Sequence, residues 1–194
     1  MANLFKTLEY EAFRAGINPR TKQSREWFRK KSQEISSVRR KDLVGQDPIV
    51  SKPSFVIGEM FMFVYDAKHK ATLPYYDKFP LTIVVDQAKD GFYGINLHYL
   101  PMTLRAKFLD ALLDNLTNEK YNKSTRFALN YQMMQQSAKL KYFKPCFKHY
   151  LSKHVKGRFA HVPAQEWEIA TFLPSANFSG ATESKVYKDS RKKI

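Results

Sequence analysis

The chain has 194 residues, 43% of them hydrophobic, enough for one domain with its own core. A net charge of +15 makes a polyanion the expected partner, and a single cysteine, Cys146, excludes an internal disulfide and any zinc site needing two cysteines. No apolar run approaches the ~20 residues of a membrane span, and the N-terminus lacks the apolar stretch of a signal peptide. A protein made and used in a reducing cytoplasm, or packaged from one, with no membrane partner, is expected.

Leu4 to Phe13 reads as a short helix, apolar at Leu4, Phe5, Leu8 and Phe13 and ending near Gly16. Asn18-Pro19 is a helix opening, with Asn as the cap and Pro in the first helical position. The helix predicted from there, Pro19 to Val38, has a thin apolar edge (Trp27, Phe28, Ile35, Val38) and faces rich in Arg and Lys. Such a helix is rarely stable by its own core packing, so it is expected to lie against a partner or over the rest of the protein. Arg39-Arg40-Lys41 closes it and complements the helix dipole.

Gly45 to Pro53 is a loop. Strands follow within Ser54–Tyr65, over Leu81–Val85 and over Gly91–Leu97, with Asp90-Gly91 as the turn of a hairpin between the last two. Leu73–Pro80 is an aromatic, proline-bounded loop whose rings are expected to pin strands rather than contact a ligand. Pro101 opens the clearest helix, with Leu104, Phe108, Leu109, Leu112, Leu113 and Leu116 in one apolar stripe. Beyond it come a helix or strand over Thr125–Ala138, a short helix from Lys144 to about Lys153 and a last helix over Pro163–Phe172. The tail, Ser175 to Ile194, is predicted to be extended or disordered.

The predicted fold class is therefore α+β: a small antiparallel SH3-like β-barrel or sheet in the centre, flanked by basic helices at both ends. Residues 1–52 form a basic N-terminal helical arm, 53–118 the barrel-like core with its following helix, 119–174 a basic helical region and 175–194 a basic flexible tail.

Charge is segregated along this chain. Residues 1–52 carry a net +6, residues 53–116 a net −1 and residues 117–194 a net +10. Between Glu119 and Glu166 ten basic residues occur with no acidic one. A solvated face usually mixes signs, so a stretch this one-sided points to phosphate or to an acidic protein. The candidate DNA-binding residues are Arg25, Arg29, Lys30, Arg39, Arg40, Lys139, Lys141, Lys148, Lys153, Lys156 and Arg158. Aromatics are interleaved with the later cations. Phe127, Phe147 and Phe159 are assigned to the core, while Tyr142 and Tyr150 are left between core and base stacking.

No catalytic residue, metal or cofactor is predicted. Glu59 with Asp66-Ala67-Lys68 is a short nuclease-like pattern, two carboxylates for Mg²⁺ and a lysine to orient water, but such a pattern is common by chance. The five histidines form no zincin-type pair, and His98 is read as a hydrogen-bonded structural residue. Serine nucleophile elbows, P-loops and dinucleotide glycine motifs are absent. Cys146 is read as a small buried apolar residue.

Gly58-Glu-Met-Phe-Met-Phe-Val-Tyr-Asp66, Leu73-Pro-Tyr-Tyr-Asp-Lys-Phe-Pro-Leu81 and Gly91-Phe-Tyr-Gly-Ile-Asn-Leu-His-Tyr-Leu-Pro101 resemble a family of tailed-phage proteins. So do Phe143-Lys-Pro-Cys-Phe-Lys-His-Tyr-Leu151, Glu166-Trp167 and Leu173-Pro174. The family is the DNA end protector proteins of T-even-like myophages. The resemblance implies a minor virion protein without catalytic residues. It would join the end of the packaged double-stranded DNA near the head–tail portal, enter the host cytoplasm with it and shield it from the host recombination exonuclease. Portal, neck or tail proteins are the other expected partners. A head-completion or neck piece docking on acidic phage proteins, and a metal-dependent nuclease, are the alternatives to sequence-independent DNA binding.

Overall fold

The computed structural model describes residues 4–19, 21–35, 55–117, 119–137 and 139–192. Strand β1 (Met60–Tyr65) shows why the centre folds as it does. Side chains alternate across a strand. Met60 and Met62 enter the main core, while Phe61, Phe63 and Tyr65 enter a second, aromatic cluster on the opposite face. Both faces are covered, so the strand reads as an unbroken apolar run.

After the two-residue strand β2 (Tyr76–Asp77), β1 pairs antiparallel with β3 (Leu81–Ala88), and β3 with β4 (Gly91–Asn96). Helices α3 (Met102–Thr117) and α4 (Lys123–Ser137) intervene before β5 (Phe147–Leu151) and β6 (Val155–Val162). The five long strands stand in the order β5-β4-β3-β1-β6. The two outermost strands are consecutive in the chain, joined only by a 3-10 turn at Ser152–His154. The sheet therefore curls until its two edges meet at one corner. There the Leu151 amide donates to the Tyr65 hydroxyl at 3.3 Å. No ladder joins β5 to β6, so the expected closed SH3-like barrel is not formed; the fold is α+β around a curled, open antiparallel sheet.

The concave side holds the aromatic cluster. Phe63 is its centre, with Tyr65, Phe92, Tyr150 and Phe159 at ring-centroid distances of 5.0–6.3 Å, mostly edge to face. The convex side carries the helices. From α1 (Leu4–Arg14) come Leu8 and Ala12, from α2 (Lys22–Glu34) Phe28, and from α3 the stripe Phe108, Leu109, Leu112 and Leu113. Helix α5 (Trp167–Phe172) is buried along its whole length, the Trp167 indole donating to the Val162 carbonyl at 2.9 Å.

Several elements differ from the sequence reading. Helix α2 begins later than Pro19. Thr21 caps it and shares a reciprocal capping box with Ser24, so Asn18-Pro19 lies in the preceding turn. As expected of so polar a helix, α2 lies over the rest of the protein. Ser24, Phe28 and Ser32 face inward at four-residue spacing, and Trp27 packs against the core.

The β3–β4 hairpin is present, but its loop is Lys89-Asp90, since Ala88 already pairs with Gly91. Gly91 is the first residue of β4, where β5 pairs so closely that a Cβ would meet the Tyr150 carbonyl. The segment expected as a helix from Lys144 is instead a 3-10 turn, Lys141–Cys146, running into β5. Its apolar residues at 143, 146, 147, 150 and 151 imitate helical spacing, because a turn and a two-faced strand are read end to end. Strand β6 was hidden by an irregularity: the register slips against Met62/Val64, and Gly157 takes φ +81° where the strand bulges.

The tail is not extended. Strand β7 (Phe178–Ser179) pairs with β2, and α6 (Glu183–Lys192) follows with Val186 fully buried. The anchor is Arg105 on α3, only 2% exposed. Its guanidinium donates to the carbonyls of Leu100 (2.7 Å) and His98 (3.1 Å) and to the Tyr187 hydroxyl on α6 (2.7 Å). Tyr187→Phe is expected to cost about 1.5–3 kcal/mol, the range for a hydrogen bond to a charged group, and to speed proteolysis within α6. Urea denaturation and limited proteolysis read the two effects.

Candidate nucleic-acid interface

The eleven candidate cations are distributed over separate elements. On α2, Arg29 and Lys30 are exposed. Arg25 faces inward: its Nε lies 2.7 Å from the Asp110 carboxylate of α3, and its guanidinium 3.9 Å from Glu168 of α5, which also accepts from Ser24 at 2.8 Å. Arg25 therefore ties α2 to α3 and α5, and its charge is already matched inside the protein.

Lys139 follows α4 and is exposed beside a groove it shares with Tyr93, Tyr131 and Phe147. Lys153 and Lys156 are exposed at the β5–β6 corner. Lys148, on β5, is half-buried, its ammonium 3.9 Å from the centroid of the Tyr99 ring, a close cation–π contact. Arg39 and Arg40 lie outside the described residues, as do the side chains of Lys141 and Arg158. The structure thus places Lys153 and Lys156 at the β5–β6 turn, Lys148 on β5 opposite Gly94, and Arg29 and Lys30 on α2.

The carboxylates are largely committed elsewhere. Asp66 pairs with Lys70, Asp90 with His149, Glu59 with His161, Glu11 and Glu34 with Lys31, and Asp189 with Lys185. Among the described residues no carboxylate lies within salt-bridge distance of Arg29, Lys30, Lys139, Lys153 or Lys156. Their positive charge is directed at solvent.

At the end of β4 lies a buried polar hub. Asp77 is 3% exposed and takes four donors: His98 Nδ1 (2.7 Å), Asn96 Nδ2 (3.0 Å) and the amides of Phe79 (3.0 Å) and Asn177 (3.3 Å). Asn96 Nδ2 also reaches the Tyr150 hydroxyl at 3.0 Å, and His98 Nε2 lies 2.9 Å from Ser175 Oγ. Burial alone would raise the Asp77 carboxyl, but the charge and hydrogen bonds of His98, with those of Asn96 and Phe79, outweigh it and hold the group below its usual range.

Ser175, His98 and Asp77 repeat the contact order of a hydrolase triad, yet all three are 4% exposed or less. A nucleophile so enclosed meets no substrate, and the trio pins the Leu73–Pro80 loop and the 175–177 segment to the end of β4. The nuclease-like pattern separates likewise. Glu59 and Asp66 flank the six residues of β1 at its opposite ends, roughly 20 Å apart at ~3.3 Å per residue, too far to share one ion. Cys146 is fully buried, which pushes its thiol up to about 12.

Among the aromatics left open, Tyr150 is buried in the concave cluster, and Tyr142 lies outside the described side chains. Phe147 and Phe159 pack against the two clusters, and the Phe127 side chain is outside the described set. The loop expected to pin strands does so and also borders a cavity. Phe79 is in the core, while Tyr75 and Tyr76 line a cavity with Lys148. Aromatic residues crowded into a short loop beside a lysine were the available signal for that cavity.

Among the described residues no helix is long and apolar enough to cross a membrane. No curated protein and no solved structure matches the chain. The family model of the phage T4 terminal DNA protecting protein matches residues 4–193, nearly the whole length, and the chain belongs to that family.

Proposed function

We propose that the protein caps the ends of linear double-stranded DNA, holding phosphates through its exposed cations and denying an exonuclease its point of entry without cutting DNA itself. The observation that carries this reading is the match to a family of terminal DNA protecting proteins along nearly the entire chain. The cations left without carboxylate partners at the β5–β6 corner, beside α4 and on α2 support it, as does the wide separation of Glu59 from Asp66. Protection is steric: an occupied terminus cannot thread into an enzyme that degrades from ends. The protein travels with the packaged DNA, and docking on acidic faces of portal, neck or tail proteins uses the same positive surface.

A salt titration with blunt linear and covalently closed duplexes of equal length tests this. Binding is expected to weaken with salt, with about 0.9 of slope per phosphate contacted. Combining Lys139→Gln, Lys153→Gln and Lys156→Gln is expected to lower that slope by about 2–3. Linear duplex bound by the protein should resist a processive exonuclease, and DNA incubated with protein and Mg²⁺ should stay full-length. Equal affinity for linear and closed DNA would remove end capping; strand loss with Mg²⁺ would remove the non-catalytic reading.

A further inference from the structure

The curled sheet leaves a cavity of about 430 Å³ in front of the Asp77 hub. Tyr65, Tyr75, Tyr76 and Tyr99 line it together with Lys68 and Lys148. With Tyr150 behind them, five phenol rings stand beside two ammonium groups and the Asp77 and Asp90 carboxylates. An apolar ligand would find too much charge there, and a simple anion would find too many rings. A nucleotide has both complements, an aromatic base and a phosphate.

We propose that this cavity receives the terminal nucleotide of a DNA strand, its base against Tyr76 and its phosphate on Lys148 and Lys68. The inference rests on the end-capping reading and gives it a physical origin. The volume lies within the roughly 300–1,000 Å³ of small-molecule sites and suits one nucleotide, whereas a duplex is too wide to enter. One nucleotide must therefore leave its stack, which costs least at an end, where one neighbour is already missing. An internal nucleotide would need the whole duplex to open and bend. The cavity discriminates ends from interiors by that difference, without reading sequence.

The walls suit this task. Tyr76 is half-exposed, leaving ring surface for a base. Tyr99 is covered by the Lys148 ammonium, which holds that cation inside the cavity. The acidic groups nearby are occupied: Asp77 by its four donors, Asp66 by Lys70 and Asp90 by His149. Lys68 is exposed at the mouth with no carboxylate in salt-bridge distance among the described residues. The hub keeps the tyrosine loop in place before a ligand arrives, which reduces the ordering cost of binding.

The test uses the full chain and short linear duplexes carrying 2-aminopurine either as the terminal base or ten positions inside, with binding followed separately by anisotropy. Binding is expected to change the fluorescence of the terminal probe and leave the internal probe unaltered. Tyr76→Ala is expected to weaken end binding by about 5- to 150-fold, the range for losing one base–aromatic stack, and to abolish the fluorescence change. Lys68→Gln, at an exposed position, is expected to weaken end binding with the fold intact.

Tight binding to linear duplex with no change in the terminal probe overturns the cavity assignment and leaves end capping standing. A lack of preference for linear over closed duplex overturns end capping itself. Displacement of a fluorescent acidic peptide, but not of the terminal probe, by Tyr76→Ala would assign the cavity to a protein partner and overturn the nucleotide proposal.

Discussion

Replacing Asp77 with alanine is expected to cost the fold about 3 kcal/mol or more, since each buried donor left without its acceptor costs about 1–3 kcal/mol. Domains are stable by only about 5–15 kcal/mol, so this one change removes a large part of the total. The loss is large because Asp77 serves four donors drawn from three places: its own loop, the end of β4 with the turn after it, and the 175–177 segment. Without the carboxylate the His98 imidazole and the Asn96 amide are buried without their acceptor. Urea denaturation reads the change, and a loss below about 1 kcal/mol would refute the assignment of Asp77 as the hub.

The same residue sets a pH dependence. Its folded carboxyl lies below the ordinary value of 3.8. A depressed folded pKa contributes stability above the unfolded pKa, and that contribution is lost as pH falls through the folded value. Wild-type stability is therefore expected to hold above about pH 5 and to decline below about pH 4. Asp77→Asn, which has no charge to lose, should show a flatter profile over that interval.

Gly91→Ala is expected to cost about 3 kcal/mol or more, at the upper end for overpacking. A Cβ at this position would fall on the Tyr150 carbonyl oxygen and 2.8 Å from its carbon. Both are backbone atoms of β5, so no rotamer change relieves the clash. The relief left is to separate β5 from β4, which withdraws Tyr150 from the aromatic cluster and opens the corner where β5 meets β6. Urea denaturation should show the loss, and amide exchange should localise it to β5. Wild-type stability and protection would mean that β5 does not pass so close.

What the sequence determined by itself was the apolar periodicity carried by near neighbours in the chain. The apolar run of β1, the paired strands β3 and β4, and the stripe from Phe108 to Leu113 each carry their periodicity within a few residues. Net charge and its concentration in the flanking segments are likewise sums over residues, and they pointed to phosphate or an acidic partner without coordinates.

Tertiary structure decided what depends on distant partners. Residues 144–153 had helical spacing, yet β4 offered an open edge and Gly91 allowed close approach, so the segment became β5. The tail was too polar to fold by its own apolar surface, yet Val186 and the Arg105–Tyr187 bond, 82 residues apart, order it. Arg25 was indistinguishable from Arg29 in sequence until Asp110 and Glu168 came beside it. The cavity joins Tyr75 and Tyr76 to Lys148 only because the sheet curls. Hydrogen bonds and ion pairs act over a few ångströms in space, and chain position alone does not encode which distant residue will stand within them.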